Sequence, residues 1–97
     1  MPSQKRARDL KEISVQKLRE RANAFFDDLY QTRLLPVAQA GGFSETISSE
    51  EKEKMSILRD HTFRVLLIKR LEQEGFEVVE THDRDDTFLE IKWDNVG

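Results

Sequence analysis

Asp83-Arg84-Asp85-Asp86 puts three carboxylates within four residues, and clustered carboxylates are ligands for hard cations such as Ca²⁺. The helix-loop-helix calcium sites also need alternating ligands, a glycine in mid-loop and a glutamate at the end; this chain has Phe88 and Asp94 at those two places. Aspartates that form a turn with a solvated tip account for the run, so no metal site is expected. His61 and His82 are the two histidines. With no cysteine and no His-x-x-x-His spacing they make no metal or catalytic set. Serines and threonines fall at caps and loops, which leaves a serine nucleophile without its partners. Gly41-Gly42 lacks the Lys-Ser/Thr ending of a phosphate loop. The expectation is a protein without catalytic residues, cofactor or small-molecule substrate.

Glu90-Ile91-Lys92, on a strand preceded by an acidic reversal, resembles the core of the PD-(D/E)xK nucleases. The resemblance implies that an upstream aspartate, here Asp83, Asp85 or Asp86, and Glu90 would hold Mg²⁺ while Lys92 orients the attacking water. These aspartates sit in the reversal rather than at the end of a strand. Pairing of Lys92 with Glu77 across a hairpin explains the lysine without catalysis.

Lys5, Arg6, Arg8 and Lys11 form a basic head able to contact phosphates, the candidate nucleic-acid-binding residues of the chain. The stretch LEQEGFEVVETHDRDDTFLEI is similar in cadence to the recognition helix and wing of winged-helix regulators. Its wing is acidic, with Asp83, Asp85 and Asp86 beside a single Arg84.

The formal charge of −3 hides a gradient. Residues 1–24 carry a net +4 and residues 72–97 a net −7, with the middle balanced. Such a molecule favours head-to-tail or antiparallel association, or a head that touches a polyanion. A chain of 97 residues is one domain, and a core this small is often completed by oligomerisation. The partner expected is therefore a second copy, in a dimer, or a larger protein, with nucleic acid as the alternative. The N-terminus MPSQKRARDLKE has no apolar stretch after its basic residues, and no run is long enough to span a bilayer. A cytoplasmic protein with no signal peptide and no membrane partner is expected.

The elements that must carry these residues follow from periodicity. Val15, Leu18, Ala22, Phe25, Phe26 and Leu29 recur on one helical face, and Ser14, with the staple pair Ile13 and Leu18, reads as the N-cap. The helix expected is about 14–33, with residues 1–12 either an extension of it or a mobile basic arm. Pro36 interrupts it, with a short helical turn allowed beyond. Ala40-Gly41-Gly42 opens a flexible loop over 38–48 anchored by Phe43. Ser48 with Glu51 reads as a capping box for a second long helix, about 49–74, stopped at Gly75. The run Val65-Leu66-Leu67-Ile68 points all round its axis, so this helix should be buried on several sides.

Strands at about 76–81 and 87–93 then form an antiparallel hairpin centred on Arg84-Asp85. In that register Phe76 faces Trp93, Val78 faces Ile91, Glu80 faces Leu89, Glu77 faces Lys92 and Thr81 faces Phe88. Val79 and Phe88 on the other face suggest partial cover there. The fold class expected is α+β. The tail, Leu71-x3-Gly75-Phe76-x-Val78 followed by Leu89-x-Ile91-x-Trp93, looks like the ends of many small phage and large-DNA-virus proteins of unknown role. The function expected is a non-enzymatic interaction or assembly protein that self-associates.

Overall fold

A computed structural model of the chain describes residues 5–96. It is a mixed α+β fold: one long helical rod, a shorter helix and a three-stranded antiparallel sheet. The rod consists of α1 (Lys5–Leu29), a π-turn (Tyr30–Leu34) and α2 (Leu35–Gln39). After it come β1 (Ser44–Ser48), a 3₁₀ segment (Glu53–Arg59), α3 (His61–Gln73), β2 (Glu77–Asp83) and β3 (Asp86–Lys92).

α1 starts by Lys5, so Ser14 is an interior helical residue and not an N-cap. Ile13 is 58% exposed, and the staple does not form. Arg6-Ala7-Arg8 and Leu10-Lys11-Glu12 are strong helix formers with nothing between them to stop the helix. The basic head is thus a helical extension from Lys5 onward; residues 1–4 of the supposed arm lie outside the described residues. Pro36 does not end the rod. Its ring would collide with the carbonyl of Thr32 in an α-helix, and the π-turn just before it lets Leu35 N–H reach Tyr30 O. α2 is the short turn beyond the proline.

Both helical stretches stop in the same way. Gly41 has φ +92° and Gly75 φ +97°, the left-handed angle that glycine adopts without strain. Gly42 N–H donates to Val37 O at 2.8 Å and Phe76 N–H to Leu71 O at 3.1 Å, the long-range bond of a Schellman cap. At Gly42 a Cβ would lie 2.5 Å from Val37 Cγ1, so a side chain there would force Val37 to shift. Ala40-Gly41-Gly42 is a helix cap rather than an open joint.

The loop expected over 38–48 holds the end of α2 and the strand β1, which pairs with β3 from Ser44 opposite Lys92 to Ser48 opposite Phe88. The helix expected to begin near 49 begins at His61. Ser49 is spent on the sheet: its N–H donates to Thr87 O at 3.0 Å and its Oγ accepts from Thr87 N–H at 2.9 Å. A helix through Ser49 would forfeit both. The intervening 3₁₀ segment stacks Met55 and Leu58, three residues apart and both buried, on one side. Asp60 is the true cap of α3, accepting from Phe63 N–H at 2.8 Å.

The sheet order is β1-β3-β2. The β2–β3 register agrees with the sequence reading, Glu77 opposite Lys92, Val78 opposite Ile91, Glu80 opposite Leu89 and Thr81 opposite Phe88. Phe76 and Trp93 meet edge-on, ring centroids 6.1 Å apart. A two-residue reversal follows from Asp83 opposite Asp86, with Arg84 left-handed at φ 58°. β3 alternates strictly, burying Thr87, Leu89 and Ile91. These pack with Ile47 of β1 against Phe63, Leu67 and Leu71 of α3 and Ala22, Phe26 and Leu29 of α1. α3 is covered on one side and partly on two others; Val65 is 48% exposed.

Candidate interaction surface

Glu90 and Lys92 face outward from the central strand β3, and Lys92 Nζ lies 3.7 Å from Glu77 Oε2. Asp83, Asp85 and Asp86 are at the far end of the hairpin. Asp86 is four residues from Glu90 on the same strand, about 13 Å at ~3.3 Å per residue. A Mg²⁺ ion with ligand bonds of about 2.1 Å cannot bridge that gap. The nuclease-like set is therefore not brought together, and among the described residues no His, Asp and Glu group is placed to hold a metal.

The acidic end is tied down instead. Asp86 accepts from Arg59 Nη2 at 2.8 Å and from the Ser49 hydroxyl at 3.2 Å. Arg59 above all holds the Asp86 carboxyl below its ordinary range, against a smaller opposing effect of burial, while Glu50 is pushed up by sharing a hydrogen bond with Asp86.

Both histidines join a network that no sequence motif announced. Arg64 is buried in α3, donating from Nη1 to Leu58 O at 2.8 Å and from Nε to Glu80 Oε2 at 3.3 Å. His61 Nδ1 lies 3.5 Å from Arg64 Nη2, and His82 Nε2 bonds the same Glu80 oxygen. His82 Nδ1 in turn is 3.3 Å from Thr87 Oγ1. Hydroxyl, imidazole and carboxylate in sequence is the order used to activate a nucleophile. Thr87, however, is 3% exposed, so no substrate carbon reaches its oxygen. The network instead joins α3 to β2 and β3. Arg33 does the same for the rod and β1, donating to Glu45 at 3.0 Å, Glu51 at 2.7 Å and Thr46 O at 3.2 Å. Its guanidinium is held above its usual value, chiefly by Glu51.

With the interior accounted for, the informative surface is α1. Every residue from Lys5 to Ser14 is exposed, and packing begins at Val15. At about 100° per residue two opposed faces follow. One carries Arg6, Leu10, Ile13 and Lys17 at spacings of four, three and four, with Leu10 64% and Ile13 58% exposed. The other carries Arg8, Lys11, Val15 and Arg19 and runs into a groove against α3, where Lys69 and Arg70 join it. The four candidate residues are thus not one patch. Arg6 lies on the apolar stripe, whereas Arg8 and Lys11 lie on the groove side. Arg19, Lys69 and Arg70, which sequence reading did not include, are brought to the same groove by packing of α3 on α1. Only Arg19 carries a local signal, its spacing of eleven from Arg8, close to three whole turns.

A second apolar surface lies at the other end of the rod. A cleft of about 270 Å³ is lined by Tyr30, Leu34, Phe76, Trp93 and Val96, with Glu74 among its polar lining. Asp27 lines the adjoining depression with Tyr30 and Phe76.

No protein-family model, no curated protein and no solved structure matches the chain. Among the described residues no helix is long and apolar enough to cross a membrane.

Proposed function

We propose that this chain is a non-enzymatic interaction protein that self-associates, the apolar stripe of α1 in one copy seating in the Tyr30–Phe76–Trp93 cleft of another. The observation that carries the reading is the run of helix that stands clear of the body with two large aliphatic side chains uncovered, Leu10 at 64% and Ile13 at 58%. A helix of a few turns is marginal without tertiary packing, and burying two such side chains supplies about 3–6 kcal/mol. Charge supports a second copy as the occupant. Residues 1–24, which carry the stripe, have a net +4, and Glu74 and Asp27 flank the cleft; at the stripe itself Arg6 and Lys17 stand beside Asp9, Glu12 and Glu20, so the attraction is between the two ends rather than between single pairs.

Light scattering on a sizing column tests this. The mass should rise from monomer to dimer or beyond as the concentration goes from about micromolar to millimolar. Leu10→Glu should hold it at the monomer with helix content unchanged. A monomer over the whole range, or an oligomer indifferent to Leu10→Glu, contradicts the reading.

A further inference from the structure

The groove between α1 and α3 is chemically unlike the rest of the molecule. About 320 Å³ in volume, it is lined by Arg19, Asn23, Leu66, Lys69, Arg70 and Gln73, with no carboxylate among them. It continues along α1 past Arg8 and Lys11, where Glu12 is the one acidic side chain. Arg8, Lys11, Arg19 and Lys69 make no ion pair among the described residues; Arg19 donates only to Gln16, at 3.0 Å. Arg70 is held in place, its guanidinium 5.1 Å over the Phe26 ring and 3.0 Å from Glu74, with its Nε buried and unpartnered. Asp9, Glu12 and Glu20 share this stretch of α1, yet among the described residues none of them forms an ion pair with Arg8, Lys11, Arg19 or Lys69. Arg8, Lys11, Arg19 and Lys69 thus present their charge without a carboxylate partner among the described residues, in a concave, elongated strip. From Arg8 to Asn23 the strip runs fifteen residues, about 22 Å, the axial rise of roughly six base pairs of a duplex.

We infer that this groove binds the phosphate backbone of a duplex nucleic acid, without reading its sequence. Side-chain donors line it: guanidinium, ammonium and carboxamide groups, the set that contacts phosphate oxygens. No aromatic side chain lines it, so the stacking platform that single-strand binders use is absent among the described residues. The groove lies on the opposite side of α1 from Leu10 and Ile13, so duplex binding and self-association use separate surfaces.

The test is fluorescence anisotropy of a labelled duplex of about 25 base pairs titrated with the full chain between about 50 and 200 mM salt. Four neutralised phosphates predict a slope of log affinity against log salt of about −3.6, a loss of about 10²-fold across that range. Arg19→Gln and Lys69→Gln should each reduce the slope by about 0.9, while Arg6→Gln, on the other face, leaves it alone. Gln is a good helix former, and circular dichroism checks that each variant is folded. Leu10→Glu should abolish association and leave the slope unchanged, so failure of this site and failure of the self-association reading are read separately. No binding at the lowest salt, or a slope indifferent to Arg19→Gln and Lys69→Gln, overturns the inference. So does loss of self-association instead of duplex binding in those two variants, which would make the groove the seat of another copy's acidic hairpin.

Discussion

Arg64 shows how much one buried cation organises here. It satisfies the Leu58 carbonyl, pairs with Glu80 and, through that carboxylate, fixes His82 against Thr87. Replacing Arg64 with Met keeps most of the packing volume but strips the Leu58 carbonyl and Glu80 of a donor, at a cost of about 2–3 kcal/mol read as a lower urea midpoint with unchanged slope. At Gly75 the cause is backbone geometry. Its φ of +97° makes Gly75→Ala destabilising by about 1 kcal/mol although open space surrounds the position.

Acid sensitivity belongs to the same scale. Arg59 depresses the Asp86 carboxyl below its unfolded value, so the stability it contributes is present above the ordinary carboxylate range and is lost as pH falls through the folded value. Glu50 is raised by Asp86 and works in the opposite sense: its contribution is present at low pH and lost as pH rises. Asp86→Asn should therefore lower the urea midpoint near neutral pH, with the difference from the native chain shrinking only as pH falls below the ordinary carboxylate range, whereas Glu50→Gln should not lower it near neutral pH.

Among the elements, β1 separates what local pattern reveals from what it conceals. The hairpin was legible because alternation and cross-strand pairing are written in its own residues: Val78 and Ile91, Glu77 and Lys92. The Gly75 stop was legible because one residue type satisfies one backbone angle. β1 reads Ser-Glu-Thr-Ile-Ser, with a single apolar side chain and two glycines just upstream. Its strand character comes from the edge of β3, forty or more residues away. Ser48 and Glu51 imitate a helix start, but the Ser49 bonds to Thr87 outweigh that local preference. The true start at Asp60 was masked by Met55 and Leu58, whose three-residue spacing suits either helix type. Ile47→Ala checks the assignment. A loop residue would tolerate it, whereas an Ile wholly buried on β1 should cost about 2–5 kcal/mol in urea unfolding. Of the candidate surface, the four basic residues near the N-terminus were legible by charge alone. Their division between two faces was not, because it depends on a helix beginning at Lys5 rather than Ser14.

The whole molecule is elongated, 59 by 32 by 20 Å, because α1 extends past everything that packs on it. That shape separates a basic, partly apolar head from an acidic sheet, and leaves the head two opposed faces, one for the proposed apolar contact and one for the proposed phosphate contact. With no cysteine, a single exposed label can be placed at will, and Trp93, the one tryptophan, lies in the proposed receiving cleft. The central claim is that the α1 stripe of one copy lies against Trp93 of another. It is tested by energy transfer from the native chain to a dansyl group on a Ser14→Cys chain that also carries Trp93→Phe, so that the donor and acceptor can only be on different copies. Sensitised dansyl emission that rises with concentration and disappears when Leu10→Glu is added to the labelled chain is the predicted result. Absence of transfer at concentrations where the mass has already doubled, or a chain that stays monomeric, would contradict it.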